Sequence, residues 1–214
     1  MIKNPLRPQQ IIDEEIKWNK TQTISSKTDA SGTILYMNDT FETVSEYNKI
    51  ELIGEPHSII RHPDMPKVVF KVLWDNLKNK NNFHAIVKNL TRTGRYYWVI
   101  TDFTIDKDEK GNVTGYTGRR KAVPNSVIEK IKPLYETLLN IEKVKGEAAS
   151  ELYFDAYLKE EIGKNYDDFV VDLFTEESLK MEKQQQIDAN PKLEENGKGK
   201  IKKGLNWFFF GDFL

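Results

Sequence analysis

Residues 61–66 read Arg-His-Pro-Asp-Met-Pro, and they lie between a Gly-Glu-Pro-His turn at 54–57 and a helical pattern that carries Trp74. The run places a fixed cation, a titratable imidazole and a carboxylate within four residues. Each proline ring fixes its own φ and restricts the residue before it, so these polar side chains are presented on a stiff, mostly extended loop. Such a loop is suited to holding a polar ligand.

The segments on both sides of this loop predict the fold class. Five β-like runs are bounded by turn residues, at 24–27, 33–37, 83–91, 95–106 and 113–122. Helical patterns cover 39–45, 49–53 and 66–78, and the last has an apolar stripe of Val69, Leu73, Trp74 and Leu77. This order predicts an α+β fold, a five-stranded antiparallel sheet with short helices and one longer helix on one face. One covered face is enough for such a sheet.

Flanking segments are expected to be helical. Residues 1–22 are interpreted as an N-terminal cap, with a helix over 9–18. After Pro124, apolar residues recur in a 4-3-4-3 spacing over about two heptads, which predicts a helix that packs either on the sheet or against a second copy as a homodimer. The expected division is an N-terminal cap helix at 1–22, a sensor domain at 23–123, a helical extension at 124–188, and a linker with an aromatic tail at 189–214.

Composition excludes several classes of function. The 32 basic and 33 acidic residues nearly cancel, so no overall field attracts nucleic acid. The chain has no cysteine, which excludes disulfides, thiolate metal sites, cysteine nucleophiles and flavin–cysteinyl adducts, and which indicates a reducing, cytoplasmic location. No nucleophile elbow, P-loop, zinc motif or dinucleotide glycine fingerprint occurs, so no catalytic or metal site is expected and the chain is not predicted to be an enzyme.

Residues 23–123 resemble a PAS domain, and more narrowly the FAD-binding PAS domain of the aerotaxis and energy-taxis receptors. The matching blocks cover nearly all of this segment and keep that family's spacing between Arg61 and Val99. They are Asn38-Asp39-Thr40-Phe41, Gly54-Glu55-Pro56-His57, residues 61–67, Phe70, Trp74, Ile86-Val87-Lys88-Asn89, Gly94 and Tyr97-Trp98-Val99.

The resemblance implies a non-covalently held FAD whose oxidation state reports the redox or respiratory status of the cell. It places six residues at the cofactor: Arg61, His62 and Asp64 on the ligand loop, Asn89 on a strand lining the pocket, Trp74 on the helix covering it, and Asn38. A flat aromatic cofactor also needs apolar walls, for which Phe70, Phe83 and Ile86 are candidates together with Trp74.

Each of these residues has a second interpretation. Arg61 and Asp64 can form an ion pair with each other, Trp74 can be an ordinary core residue, and His57 is interpreted as a turn residue. A PAS pocket can also hold haem through an axial imidazole, for which His62 and His84 are the candidates. Two alternatives to a flavin redox sensor therefore stay open: a haem-binding gas sensor and a ligand-free adaptor that mediates protein assembly.

Output is expected to pass to another protein. The aerotaxis receptors also carry a membrane anchor and a long signalling hairpin, and these do not fit into the 91 residues after the sensor domain. The resemblance therefore points to split energy-taxis pairs, in which a soluble PAS protein works beside a membrane chemotaxis transducer that recruits it to the inner face of the membrane. Residues 204–214, GLNWFFFGDFL, are expected to dock on the protein itself, in a partner's groove or at the membrane interface.

Overall fold

The computed structural model describes residues 4–79 and 81–189, except for the side chains of residues 187 and 189. The strands are β1 (Ile24–Asp29), β2 (Ile34–Met37), β3 (Phe83–Leu90), β4 (Tyr96–Lys107) and β5 (Val113–Ala122). The α-helices are α1 (Asp39–Ser45), α2 (Lys49–Leu52), α3 (Lys67–Lys78), α4 (Asn125–Lys145), α5 (Glu147–Tyr157) and α6 (Tyr166–Ala189). A 3₁₀ turn spans His57–Ile60, and a π-helical turn spans Leu158–Ile162.

The five strands form one antiparallel sheet in the order β2-β1-β5-β4-β3. The hairpin of β1 and β2 pairs Ser26 with Met37, and its register shifts between Lys27 and Thr28. The predicted α+β fold is confirmed. Strands β3 and β5 lie on either side of β4, so residues of these three strands that share one face lie together beneath α3.

Local sequence chemistry explains the helices on this inner face. The Asn38 side chain accepts a hydrogen bond from the Phe41 amide at 3.0 Å, as expected of an N-cap. Helix α3 begins directly after Pro66, and its stripe of Val69, Leu73 and Leu77 is buried. Trp74 of the same predicted stripe is only partly buried, because its ring borders a cavity.

The helix predicted for residues 9–18 is wrong, because this segment is extended. The Ile16 amide donates to the Tyr96 carbonyl at 2.9 Å, and the Tyr96 amide donates to the Glu14 carbonyl at 3.0 Å. The Ile12 amide donates to the Gly94 carbonyl at 2.8 Å, where a side chain on Gly94 would overlap the backbone of this segment. The chain around Gly94 and Tyr96 thus supplies hydrogen-bond partners for the backbone groups of this segment, whereas a short isolated helix would be only marginally stable in water.

The chain after Pro124 covers the second face of the sheet, so both faces of the β3–β4 region are buried rather than one. In α4 Val127, Ile131 and Leu138 of the heptad seam are fully buried within the chain itself, whereas Ile141 at its end is only partly buried. Tyr135 stacks on Trp98 of β4 with ring centroids 6.3 Å apart, and its hydroxyl donates to the Ile86 carbonyl of β3 at 2.7 Å. Of the two packings expected for this helix, the structure has the one on the sheet.

Helix α6 closes the exposed edge of the sheet. The amide of His84 in the edge strand β3 donates to the Asp167 carboxylate, and Phe83 stacks on Tyr166 with ring centroids 5.8 Å apart. After α4, the segment expected to be a helical extension contains α5 and the longer, continuous helix α6. The expected linker and tail lie outside the described residues, apart from Ala189 at the end of α6.

Candidate functional site

A cavity of about 430 Å³ lies between the inner face of the sheet and α3. This volume is within the range of pockets that bind small molecules and cofactors. Strands β1, β3, β4 and β5 supply its floor, and α3 and the 3₁₀ turn supply its walls. Among the described residues, no aspartate or glutamate lines it, and this charge pattern decides which ligands it suits. Its lining includes Ser26, His57, Arg61, Phe70, Trp74, Asn89, Thr101, Phe103, Tyr116, Gly118 and Arg120.

Arg61 enters the cavity from the loop that the sequence singled out. A backbone bridge to Asn89 fixes the loop against β3, and the guanidinium lies over the Phe70 ring, 3.5 Å from its centroid. The Nε atom is buried and has no hydrogen-bond partner in the structure. Burial, with a smaller effect from Arg7, lowers the pKa of Arg61 to about 10, which still leaves it charged at neutral pH. The Nε–H group of Arg61 is therefore available to donate a hydrogen bond to a ligand.

Trp74 forms the aromatic wall of the cavity. Its ring meets Tyr116 edge-on, with centroids 5.4 Å apart and an interplanar angle of 79°. Opposite the indole lies Gly32, where an added Cβ would be 3.4 Å from the ring, so a larger residue there would press on Trp74. Asn89 is buried on the floor, and the buried Thr101 hydroxyl on β4 has no hydrogen-bond partner among the described residues.

A second polar group in the cavity was not predicted from the sequence. Arg120 is buried and donates to the Ser26 hydroxyl at 3.0 Å, to the Gly118 carbonyl at 3.1 Å and to His57 Nε2 at 2.9 Å. Burial, reinforced by the charge of Arg120, lowers the pKa of His57 to about 3, so this imidazole is neutral and accepts the hydrogen bond. His57 is thus a cavity residue as well as a turn residue.

Strand alternation is the only sequence signal for Arg120. Residues 116, 118 and 120 share one face of β5, so Tyr116 and Arg120 point the same way. The preceding residue, Arg119, carries the same guanidinium group, but its side chain points to the opposite face of the sheet. Choosing between them needed the register of β5 against β1 and β4, which pairs Arg120 with Ile24 and with Thr101.

The cavity is positively charged. Two guanidiniums, those of Arg61 and Arg120, reach it, and neither forms an ion pair with a carboxylate among the described residues. A buried charge without a partner costs several kcal/mol, whereas an anion held by a guanidinium fork offsets this cost. The arrangement favours a ligand that combines a flat aromatic part with an anionic or electron-rich polar part.

Two of the three polar residues of the loop lie outside the cavity. His62 is buried with its ring edge towards Tyr96, and burial together with the charge of Lys88 lowers its pKa to about 4. Asp64 is 60% exposed and pairs with Lys88 at 2.7 Å, so it does not form the alternative ion pair with Arg61. Lys88 points to the outer face of the sheet. We therefore assign His62 and Asp64 to holding the loop rather than to ligand contact.

Three further predicted site residues also lie elsewhere. The Asn38 amide group donates to the Thr23 carbonyl at 2.8 Å while its oxygen accepts from the Ser25 amide at 3.0 Å, so it ties α1 to the start of β1. Phe83 packs against α6, and Ile86 is buried beneath Tyr135. Of the nine residues predicted at the cofactor, the cavity brings together four: Arg61, Phe70, Trp74 and Asn89.

These residues fit a flavin. Phe70, Trp74 and Tyr116 offer aromatic surface to a ring system, and Asn89 can both donate and accept at a ring edge. The buried Arg61 Nε and Thr101 hydroxyl line the cavity and have no hydrogen-bond partner among the described residues. A haem fits less well, because the histidine of the cavity, His57, already uses Nε2 for Arg120 and Ser26.

Comparison with known proteins agrees with this fold. The family model described as the PAS fold matches residues 34–120. Residues 34–120 form a PAS domain. Over 116 residues the chain is 39% identical to the aerotaxis receptor of Escherichia coli strain K12, a match that covers 54% of this chain and 23% of the receptor. It is 29% identical over 96 residues to the bacterioopsin transcriptional activator of Halobacterium salinarum, covering 45% of this chain and 14% of that protein.

The solved structures that resemble the PAS domain are light-oxygen-voltage domains, among others. One described by the words "Flavin Analogue Sheds Light on Light-Oxygen-Voltage Domain Mechanism" has a TM-score of 0.49 and 18% identity, covering 54% of this chain and 88% of that one. The chain spans less than a quarter of the length of the two relatives named above. Among residues 4–79 and 81–189, no helix has the length and apolar character needed to cross a bilayer.

Proposed function

We propose that the PAS domain binds FAD and senses redox state for aerotaxis or energy taxis, and that the chain signals to a separate membrane chemotaxis transducer from the cytoplasm. One observation carries the proposal. The chain, which is 39% identical to the aerotaxis receptor over 116 residues, has a positively charged cavity in which Arg61 and Asn89 lie beside each other under an indole wall. FAD, when bound, supplies reversible electron transfer.

The residues of the chain have three roles in this proposal. Arg61 and Asn89 orient the cofactor by donating hydrogen bonds. Trp74 and Phe70 exclude water from it. Arg120 keeps a positive charge in the cavity, because its guanidinium is held by Ser26, His57 and the Gly118 carbonyl. Arg61 on the loop, Asn89 on β3 and Arg120 on β5 are therefore the groups that would respond to a change in charge within the cavity.

Helix α3 connects the cavity to the C-terminal extension. It carries Phe70 and Trp74 towards the cavity, and its first amide groups and lysines contact α4 and α5 on its other side. The Glu142 carboxylate accepts from the Val68 amide at 3.0 Å, and Lys71 pairs with Glu151 at 2.5 Å. A shift of α3 in response to the cofactor would thus bias the position of the extension, where a transducer can detect it.

The test is the visible spectrum of the purified full chain, expressed with ample flavin, before and after reduction by dithionite. We expect a yellow protein that bleaches on reduction and recolours in air. Replacing Arg61 by alanine should weaken flavin binding at least about ten-fold, because a charge-assisted hydrogen bond contributes roughly 1.5–3 kcal/mol. Asn89→Ala should act in the same direction.

Asp64→Ala is the matched control, because Asp64 lies on the same loop as Arg61 but outside the cavity. It should retain the yellow colour. A folded, colourless wild-type protein would contradict the proposal and would favour the ligand-free adaptor. A Soret band would instead identify a haem protein.

A further inference from the structure

Helix α5 has an apolar face that no other described element covers. Leu152 is 73% exposed and Tyr153 is 40% exposed. At helical spacing around them lie Ala148 and Ala156, which are also exposed, and Tyr157, which stacks on Tyr153 with ring centroids 6.4 Å apart. We call the surface formed by residues 148, 152, 153, 156 and 157 the α5 face. An apolar surface of this width on a helix indicates a docking site.

The opposite side of the same helix contacts α3, α4 and α6. Ser150 donates to the Leu138 carbonyl of α4 at 3.1 Å, and Phe154 packs against Tyr166 of α6. Glu147 and Glu151 pair with Lys67 and Lys71 of α3. The α5 face is therefore presented by a helix held on three sides, so it is rigid enough to receive a ligand without prior folding.

The surroundings of the α5 face are acidic. Asp155 borders it, and Glu160 and Glu161 follow in the π-helical turn directly after one lysine, Lys159; all four side chains are exposed, and the three carboxylates outnumber this lysine. Among the described residues, none of the three forms an ion pair with a basic side chain. A partner that combines aromatic side chains with a preceding basic cluster is complementary to this pattern.

Residues 200–214 of the same chain have that composition. Lys200, Lys202 and Lys203 precede the sequence GLNWFFFGDFL at 204–214, which contains five aromatic residues and Leu214. Exposing so many aromatic side chains to water is unfavourable. We propose that residues 204–214 dock on the α5 face of the same molecule, with Lys200, Lys202 and Lys203 beside the acidic border.

The connecting length permits this docking. Helix α6 starts at Tyr166, which contacts Phe154 of α5, and runs for 23 further residues to Ala189. At 1.5 Å per residue, Ala189 lies about 35 Å along the helix from that contact. The chain from Ala189 to Gly204 has 15 residue steps and can span up to about 50 Å. The tail can therefore return to α5 without any rearrangement of α6.

The absence of cysteine makes a cross-linking test direct. In the full chain, Ala156→Cys on the α5 face is combined with Gly211→Cys in the tail, and the rate of disulfide formation under mild oxidation is measured. The matched control combines Ile50→Cys, on the 94% exposed Ile50 of α2, with Gly211→Cys. We expect the intramolecular disulfide to form at least ten-fold faster at residue 156 than at residue 50.

A second variant separates docking from chance encounter. Leu152→Glu, added to the Ala156→Cys and Gly211→Cys pair, should slow the cross-link at least ten-fold, because it places a charge in the centre of the apolar face. Ile50→Glu in the same background should leave the rate unchanged. Leu152 is exposed, so neither substitution removes core packing.

Three results would overturn the inference. Equal rates at residues 156 and 50 would show that the tail does not prefer α5. A covalent dimer in place of the internal disulfide would show that the tail docks on a second copy. Protection of the residue 211 thiol from a water-soluble maleimide only when phosphatidylglycerol vesicles are added would show that the tail binds a membrane surface. None of these measurements depends on bound flavin, so their failure and that of the proposed function are distinguishable.

Discussion

Two histidines of the structure should respond to pH in opposite directions. Burial and Arg120 lower the pKa of His57 to about 3, so the folded state resists protonation and loses stability as the pH falls below 6.5. His84 lies 3.1 Å from Asp167 and 3.7 Å from Asp102, and these carboxylates raise its pKa despite an opposing effect of burial. The contribution of His84 to the stability of the folded state is fully present below pH 6.5, and it is lost as the pH rises through this raised pKa.

The free energy of unfolding, measured with urea at pH 7 and pH 5, tests this prediction. His57→Asn keeps a hydrogen-bond acceptor but does not titrate, so it should reduce the loss of stability between these pH values by about 2 kcal/mol relative to the wild type. His84→Asn should increase that loss. An unchanged pH dependence in the His57 variant would mean that this imidazole is not held neutral.

A different residue-scale prediction concerns Asp64, whose partner is Lys88 rather than a ligand. The Lys88 side chain is largely buried, with its ammonium also over the Tyr96 ring at 4.1 Å from the centroid. Asp64→Asn should destabilise the chain by about 1 kcal/mol, since Asp64 is more than half exposed and solvent screens the pair. Flavin retention should not change. A loss of flavin without a loss of stability would indicate that Asp64 contacts the ligand.

Among the elements, one buried hydroxyl pair joins α4 to the sheet and to α6, in addition to the apolar packing of α4. Tyr135 donates to the Ile86 carbonyl at 2.7 Å and also contacts the Tyr166 hydroxyl of α6. Tyr135→Phe should lower the free energy of unfolding by about 1–2 kcal/mol, the usual cost of losing a buried hydrogen bond. Tyr36→Phe, at a residue that is about half exposed, is the control and should have little effect.

The combination with Tyr166→Phe tests whether the two hydroxyls act as one unit. If they do, the double variant should lose less stability than the sum of the two single variants, because each single change leaves the other hydroxyl with fewer partners. Strict additivity, measured by urea unfolding, would contradict a coupled pair.

The sequence was sufficient for elements whose signals are local. The Asn38 cap, the helix after Pro66 and the strand periodicity of β3 to β5 all predicted elements within two residues of their observed ends. Residues 9–18 failed because their hydrogen-bond partners, around Gly94 and Tyr96, are some 80 residues away in the chain. Only part of the site was predicted, for the same reason. The Arg61 loop can be recognised from neighbouring residues, whereas Arg120 and His57 meet only once β5 pairs with β1.

At the scale of the whole molecule, the sensor domain and the extension share one core. On the inner face α3 covers the cavity, while on the outer face Trp98 and Ile86 are buried beneath Tyr135 of α4. The predicted boundary near residue 123 therefore separates segments of the chain without separating two hydrophobic cores. The extension is placed to respond to α3 and to the sheet together, since Glu142, Glu147 and Glu151 contact α3.

This shared core makes the extension necessary for the stability of the PAS domain. A chain shortened to residues 1–123 would expose the outer surface of β3 and β4, including Ile86, Trp98 and Ile100, all buried in the full chain. We expect the shortened chain to bind a hydrophobic dye such as ANS, to self-associate, and to melt at a lower temperature than the full chain. Replacing Trp98 and Ile100 by threonine in the shortened chain should reduce dye binding while leaving the inner cavity intact. A shortened chain that is monomeric, does not bind the dye and melts at the same temperature would show that the PAS domain folds independently, and that the C-terminal helices contribute to signalling without contributing to the fold.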